Sequence, residues 1–262
     1  MYIIRVVRVR VLKLMAVLSC LTATAASCAN PLARQYEYDE QTYLGIDGSA
    51  TVVLSASVAS LVALRGLALD PNPQARITSD EVRAAFEAAG CDVERVSRPW
   101  RRSGRRFVQA RLRVGDVRTA GACRVLAWST YGFDVTPGQI RYTQTVGPPS
   151  GVAPPGVNWN GSELVAFKLH LPSRVRHQNV RRLSDGLPGE TERGNILTWE
   201  QRLSDRLAGA PVAMLVETDA ESILYRTVTL FAGAFGAAII LLILLIWWTI
   251  RRGRVRLRKF TA

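Results

Sequence analysis

Histidine is almost missing from this 262-residue chain: His170 and His177 are the whole complement. A metal site built on imidazole needs further Asp, Glu or Cys ligands at matched spacing, and no such cluster stands near either residue. His177 sits among Arg174, Arg176, Arg181 and Arg182, a poor setting for a cation, and His170 reads as a surface residue. No metal and no other cofactor is expected. The sequence also lacks a Gly-x-Ser-x-Gly elbow and a glycine-rich phosphate loop, and it holds no internal repeat or low-complexity tract. Asp80 and Glu81 are accounted for by helix capping, and Asp219 and Glu221 by a stem next to an apolar run. Catalysis needs positioned groups with tuned pKa values. None is nominated, so the chain is not expected to be an enzyme.

Lysine is nearly as scarce, with Lys13, Lys168 and Lys259 the only three, so arginine carries the basic charge. The formal net charge of +13 resembles that of a nucleic-acid binder, but its placement argues otherwise. Arg5, Arg8, Arg10 and Lys13 precede the first apolar run, and Arg251, Arg252, Arg254, Arg256, Arg258 and Lys259 follow the last. Without those ten, 24 basic residues face 21 acidic ones. Basic residues beside apolar segments hold a membrane end in the cytoplasm. The excess charge is topological, and no nucleic-acid partner is expected.

The long uncharged run lies near the C-terminus, from Thr227 to Ile250. At ~1.5 Å per residue it reaches ~36 Å, enough to cross a ~30 Å hydrocarbon core. Trp247 and Trp248 stand at one interface and Tyr225 at the other, as an aromatic belt requires. A transmembrane helix is expected over 225–250, with a basic cytoplasmic tail at 251–262. Gly233 and Ala237 have the small-xxx-small spacing that lets two membrane helices approach closely.

Residues 1–28 read as an export signal, with a basic start to Lys13, an apolar stretch from Leu14 to about Ala26 and small residues after it. Two processing routes fit. Ala25-Ala26-Ser27-Cys28 resembles a lipobox that would lipidate Cys28, and Ala23-Thr24-Ala25 suits an ordinary signal peptidase. Both basic ends belong inside, so the residues between them belong outside. The expected place is the cytoplasmic membrane of a bacterium, with one span, an extracytoplasmic domain and a cytoplasmic C-terminus.

Residues 29–40 read as a tether, 41–146 as an outer α+β region, 147–161 as a Pro/Gly-rich connector and 162–222 as a β-rich region packed on the first. Asp47-Gly48, Ser103-Gly104 and Pro137-Gly138 mark hairpin turns. Val58 to Leu69 is apolar at helical spacing. Thr78 and Glu81 form a capping box for a second helix that Gly90 ends. A short helix is expected from Asp116 to Ala122. Strands are expected at 92–100, 106–114, 125–135, 139–146, 164–171, 195–201 and 211–217. Hairpins outnumber helices, which predicts an α+β fold with an antiparallel sheet, outside the membrane and followed by a single C-terminal transmembrane helix.

Cys91 and Cys123 are the cysteines of the exported part. In an oxidising compartment they form either a disulfide or two buried thiols. Arg98, Trp100, Arg101, Arg102, Arg105 and Arg106 cluster on one hairpin. They are read either as a contact for anionic lipid or an acidic envelope partner, or as a solvated hairpin tip.

This plan resembles a family of bacterial envelope proteins related to the mycobacterial lipoprotein LppM, with a local likeness in Gly194-Asn195-Ile196-Leu197-Thr198-Trp199. The resemblance implies an envelope module that binds lipid or glycolipid, and it carries over no functional residue. The leading expectation is a non-catalytic, membrane-anchored module that binds lipid, glycolipid or another envelope protein. The alternative is a structural or assembly subunit acting through its transmembrane helix, and a third reading is an enzyme whose site is assembled from scattered residues.

Overall fold

The computed structural model describes residues 34–192 and 195–260. The export signal and Cys28 lie outside them. The first strand, β1 (Tyr36–Leu44), begins inside the expected tether. Glu37, Tyr38, Asp39 and Glu40 are buried there, because the polar residues that suggested a tether find partners within the fold.

β1 and β2 (Ala50–Ser57) form an antiparallel hairpin around Asp47-Gly48. Asp47 Oδ1 accepts from the Ser49 amide at 3.0 Å, which closes the turn. Every second residue of β2 is buried, the pattern of a strand with one face on the core. The chain then enters α1 (Val58–Arg65) directly, with Ser57 Oγ accepting from the Ser60 amide as N-cap. Gly66 ends this helix with φ of 62°, a left-handed position that glycine adopts without strain.

The capping box at Thr78 and Glu81 opens α2 (Ser79–Ala88). Val82 and Phe86, four residues apart, are its buried face. Truncating a buried phenylalanine such as Phe86 to alanine costs about 3–5 kcal/mol. β3 (Asp92–Val96) follows, then β4 (Trp100–Arg102) and β5 (Arg105–Val114) around a turn with Ser103 at φ 48° and Gly104 at φ 75°. Two positive φ values in a two-residue loop match the right-handed twist of the flanking strands.

Val117–Ala122 is a short 3-10 helix, capped by Asp116. Residues 125–128, expected as the start of a strand, instead form turns that bury Val125, Leu126 and Trp128. The strand itself is β6 (Ser129–Thr136), paired with β7 (Gln139–Val146) across Pro137-Gly138. Cys91 and Cys123 are joined in a disulfide, with Cα atoms 4.5 Å apart. It ties the end of α2 to the end of the 3-10 helix, beside the Arg124 amide bonded to Ala89 O at 2.9 Å.

Segment 147–161 holds no helix or strand. Beyond it come β8 (Leu164–His170), β9 (Val175–Gln178), β10 (Ile196–Arg202), the short α3 (Leu203–Leu207) and β11 (Val212–Asp219). One sheet has the order β10-β8-β1-β2-β5-β3, with β4 also on β5, and the other β6-β7-β11-β9. Pairing is antiparallel except between β1 and β8. Region 162–222 therefore does more than pack on region 41–146: it supplies strands to both sheets. One core joins them, with Tyr38, Trp128 and Phe167 in mutual ring contact at 5.8–6.2 Å. The architecture is α+β, with two mostly antiparallel sheets.

Three residues after β11, α4 (Ile223–Phe260) begins and runs unbroken for 38 residues. The basic tail expected from 251 thus continues the helix to Phe260. It contains no proline, and arginine and leucine propagate a helix well.

Candidate functional site

Helix α4 keeps its apolar length outside the core. Ile223–Thr249 is long and apolar enough to cross a membrane, and its most apolar 18 residues are not buried by the rest of the chain. At ~1.5 Å per residue, 27 residues reach ~40 Å, more than a ~30 Å hydrocarbon layer. Ser222 Oγ accepts from the Leu224 amide at the first turn, and the Ile223 amide donates to Pro172 O at 3.0 Å. Gly233 lies on this open helix, with nothing within 4 Å of where a Cβ would stand.

The arginine hairpin is largely spent on the fold. Arg101 donates to Pro73 O and to Gln74 Oε1, and Arg106 to Ala75 O at 3.0 Å. Arg102 donates to Tyr36 O and lies over the Phe107 ring. Arg105 Nε is 3.1 Å from Glu37 Oε1 as an ion pair without hydrogen-bond alignment. Its Nη1 donates to Asn158 O at 3.0 Å and reaches Glu163 at 3.4 Å. The carboxylates of Glu37 and Glu163 are only 2% and 6% exposed. Trp100 stacks on Phe107 and keeps an outer face in solvent. Arg98 is exposed. The hairpin thus staples the 73–75 loop, the start of β1 and the connector to one another.

The face of the larger sheet opposite the core carries a polar ladder. Tyr43 stacks on His170 at 3.9 Å, in register across β1 and β8. Gln41 accepts from Tyr43 Oη, lies 3.3 Å from His170 Nε2, and donates to Asp39. Lys168 Nζ is 3.2 Å from the same carboxylate. Burial and the neighbouring Lys168 charge hold His170 below the ordinary histidine pKa. His177 is exposed on β9. Among the described residues, no three His, Cys, Asp or Glu side chains gather as a metal-binding set.

The densest chemistry is inside. Arg65, at the last turn of α1, places Nη2 at 2.8 Å from Glu40 Oε2 on β1. It also donates to Tyr38 Oη, which in turn donates to Glu40 at 2.7 Å. Gln144 on β7 donates to Glu40 Oε1 at 3.2 Å and accepts from Tyr142 Oη at 2.8 Å, linking the two sheets. Burial pushes the phenols of Tyr38, Tyr131 and Tyr142 well up, so they stay neutral. A second guanidinium, Arg206 on α3, lies in the same region. Its carbon is 5.2 Å from the centre of the Trp128 ring, over which Arg65 also stacks. Arg206 donates to Gly147 O at 2.7 Å. Burial and then the nearby Arg65 charge lower its pKa.

This cluster is unbalanced. Arg65 and Arg206 are both closed off from solvent, and Glu40 pairs with Arg65. Arg65 Nη1, Arg206 Nε and Nη1, and Trp128 Nε1 have no hydrogen-bond acceptor among the described residues. A buried donor left unmet costs about 1–3 kcal/mol. Contact with the indole face returns about 0.5–2 kcal/mol per cation. Sequence reasoning passed over these residues. The available signal was a lone Arg65 closing the largely apolar run Val58–Leu64, whereas Glu40 stands in a polar, acidic stretch that gives no sign of burial.

Gly194, the first residue of the Gly194–Trp199 motif, lies outside the described residues. Asn195 adopts φ of 57°, and Ile196 to Trp199 lie on β10, with Trp199 Nε1 donating to Asn179 Oδ1 at 3.2 Å. No protein-family model matches the chain, and neither does any curated protein. Among solved structures it is similar to the folded domain of LppM from Mycobacterium tuberculosis, at 13% identity and a TM-score of 0.37. The match covers 72% of this chain and 94% of that one, and the likeness is distant.

Proposed function

We propose that this chain is a non-catalytic module of the bacterial cell envelope, anchored by α4, with its two-sheet domain on the extracytoplasmic side. It works there by contact with lipid, glycolipid or a neighbouring envelope protein. The observation that carries the reading is the bare apolar surface of Ile223–Thr249, three residues from the last strand. So large an apolar surface calls for cover by lipid or by another apolar helix. The outward placement of the domain rests on the basic residues at both ends of the sequence, the side that stays in the cytoplasm. The non-catalytic part rests on the lack of a catalytic motif in the sequence and on the use of the buried carboxylates Glu37, Glu40 and Glu163 as partners for arginines.

Alkaline carbonate extraction tests the anchor. The full chain is expected to stay with the membrane pellet, and a chain ending at Ser222 and carrying Cys28→Ser, which has neither helix nor lipidation site, to be released. Release of the full chain by carbonate would contradict the reading.

A second reading treats α4 as an assembly helix. The open surface at Gly233, one turn from Ala237, favours it, because small residues let helix backbones meet.

A further inference from the structure

The proposal starts from the imbalance around Trp128. Of two buried guanidiniums Arg65 is paired with Glu40, and three of their nitrogens, with the indole N–H, have no acceptor among the described residues. Arginine's planar fork matches the oxygens of phosphate and carboxylate. The missing counter-charge is thus of a definite kind: an oxyanion with several acceptor oxygens. Glu40 already occupies one side of Arg65.

The cover over this cluster is the segment 147–151. Gly147 O holds Arg206, and Ser150 rests its amide and its hydroxyl on Leu64 O, next to Arg65. The segment therefore runs from the Arg206 guanidinium to the main chain next to Arg65. Pro148 is exposed, Pro148 and Pro149 offer no N–H, and the segment is held by the Gly147 amide on Trp128 O at 2.7 Å and by Ser150 on Leu64 O. Lifting it frees the Arg206 donor that Gly147 O occupies.

We propose that a phosphate group binds between Arg65 and Arg206 beside Trp128, beneath segment 147–151, and replaces Gly147 O on Arg206. The group comes either from free phosphate or from a phospholipid headgroup. The site stands apart from the anchor in α4 and does not depend on where the domain resides.

The test uses the full chain in dodecyl maltoside, a phosphate-free detergent, at constant ionic strength set with chloride. In one arm inorganic phosphate is titrated, and in the other phosphatidylglycerol is added to the micelles. The readouts are the melting temperature and the amide exchange of Gly147, Ser150 and Gly151, the residues of the segment that carry an N–H. The expected result is a saturable rise in melting temperature in at least one arm, while the amides of Gly147 and Ser150, whose bonds to Trp128 O and Leu64 O open when the segment lifts, exchange about tenfold faster or more at saturation. Arg206→Gln should weaken the response about tenfold or more, the scale of one charge-assisted hydrogen bond. A response to phosphate assigns the free ion, and a response to phosphatidylglycerol alone assigns the headgroup. If Arg206→Gln fails to fold, exchange in the wild-type chain decides: quickening confined to Gly147, Ser150 and Gly151 supports the site, and uniform slowing overturns it. No response in either arm, or an undiminished response in folded Arg206→Gln, overturns it as well.

Discussion

Arg65 Nη2 lies 2.8 Å from Glu40 Oε2, and both side chains are withdrawn from water, at 0% and 1% exposure. Breaking a buried ion pair by removing one partner costs about 3–5 kcal/mol, because the other charge is left unmatched. Glu40→Gln should therefore lower stability by about that amount in chemical denaturation of the detergent-solubilised chain. The double variant Glu40→Gln/Arg65→Met should lose less than the two single variants added together. Strict additivity would show that the pair is not coupled.

The hairpin arginines divide by role. Arg105 faces two nearly buried carboxylates, so Arg105→Gln should cost about 3 kcal/mol, read as a lowered denaturation midpoint. Arg98 is exposed, and Arg98→Gln should stay within about 0.5 kcal/mol. Equal small effects would mean that the Arg105 contacts add nothing to the fold.

The disulfide closes a sequence separation of 32 residues. Constraining an unfolded loop of that length stabilises a fold by about 3–4 kcal/mol in the chain-entropy account. Reduction, or Cys91→Ala with Cys123→Ala, should lower the melting temperature, and free-thiol titration should find this pair unreactive before reduction. A reactive pair in the native chain would contradict the bond.

His170 should titrate below the ordinary value of 6.5, because burial and then Lys168 disfavour its proton. The sign follows from linkage. Between 6.5 and the lower folded value the unfolded chain binds the proton and the folded chain does not, so stability falls as pH drops through that window. Ring-proton NMR should place the midpoint below 6.5, and Lys168→Gln should raise it. A midpoint at or above 6.5 would sink this account of the polar ladder.

Local chemistry made much of this fold legible in the sequence. The turns at Asp47-Gly48, Ser103-Gly104 and Pro137-Gly138 and the capping box at Thr78 each depend on residues within a few positions, and each stands in the structure. What stayed hidden is non-local. The parallel pairing of β1 with β8 joins residues about 127 apart, as in Asp39↔Ala166. β9 is four residues in an arginine-rich stretch without alternation. The start of β1 looked like a tether because Glu37, Asp39 and Glu40 are acidic, and their burial depends on Arg105, Lys168 and Arg65 arriving from elsewhere. The arginine hairpin was visible as a cluster, but its carbonyl and carboxylate partners were not.

Topology is the central claim, and limited proteolysis of intact spheroplasts tests it most directly. With an epitope after Ala262, protease added outside should destroy the two-sheet domain and leave a small tagged fragment of the membrane helix and the tail. Tag and domain both surviving in intact spheroplasts, with digestion only after lysis, would place the domain inside and contradict the account.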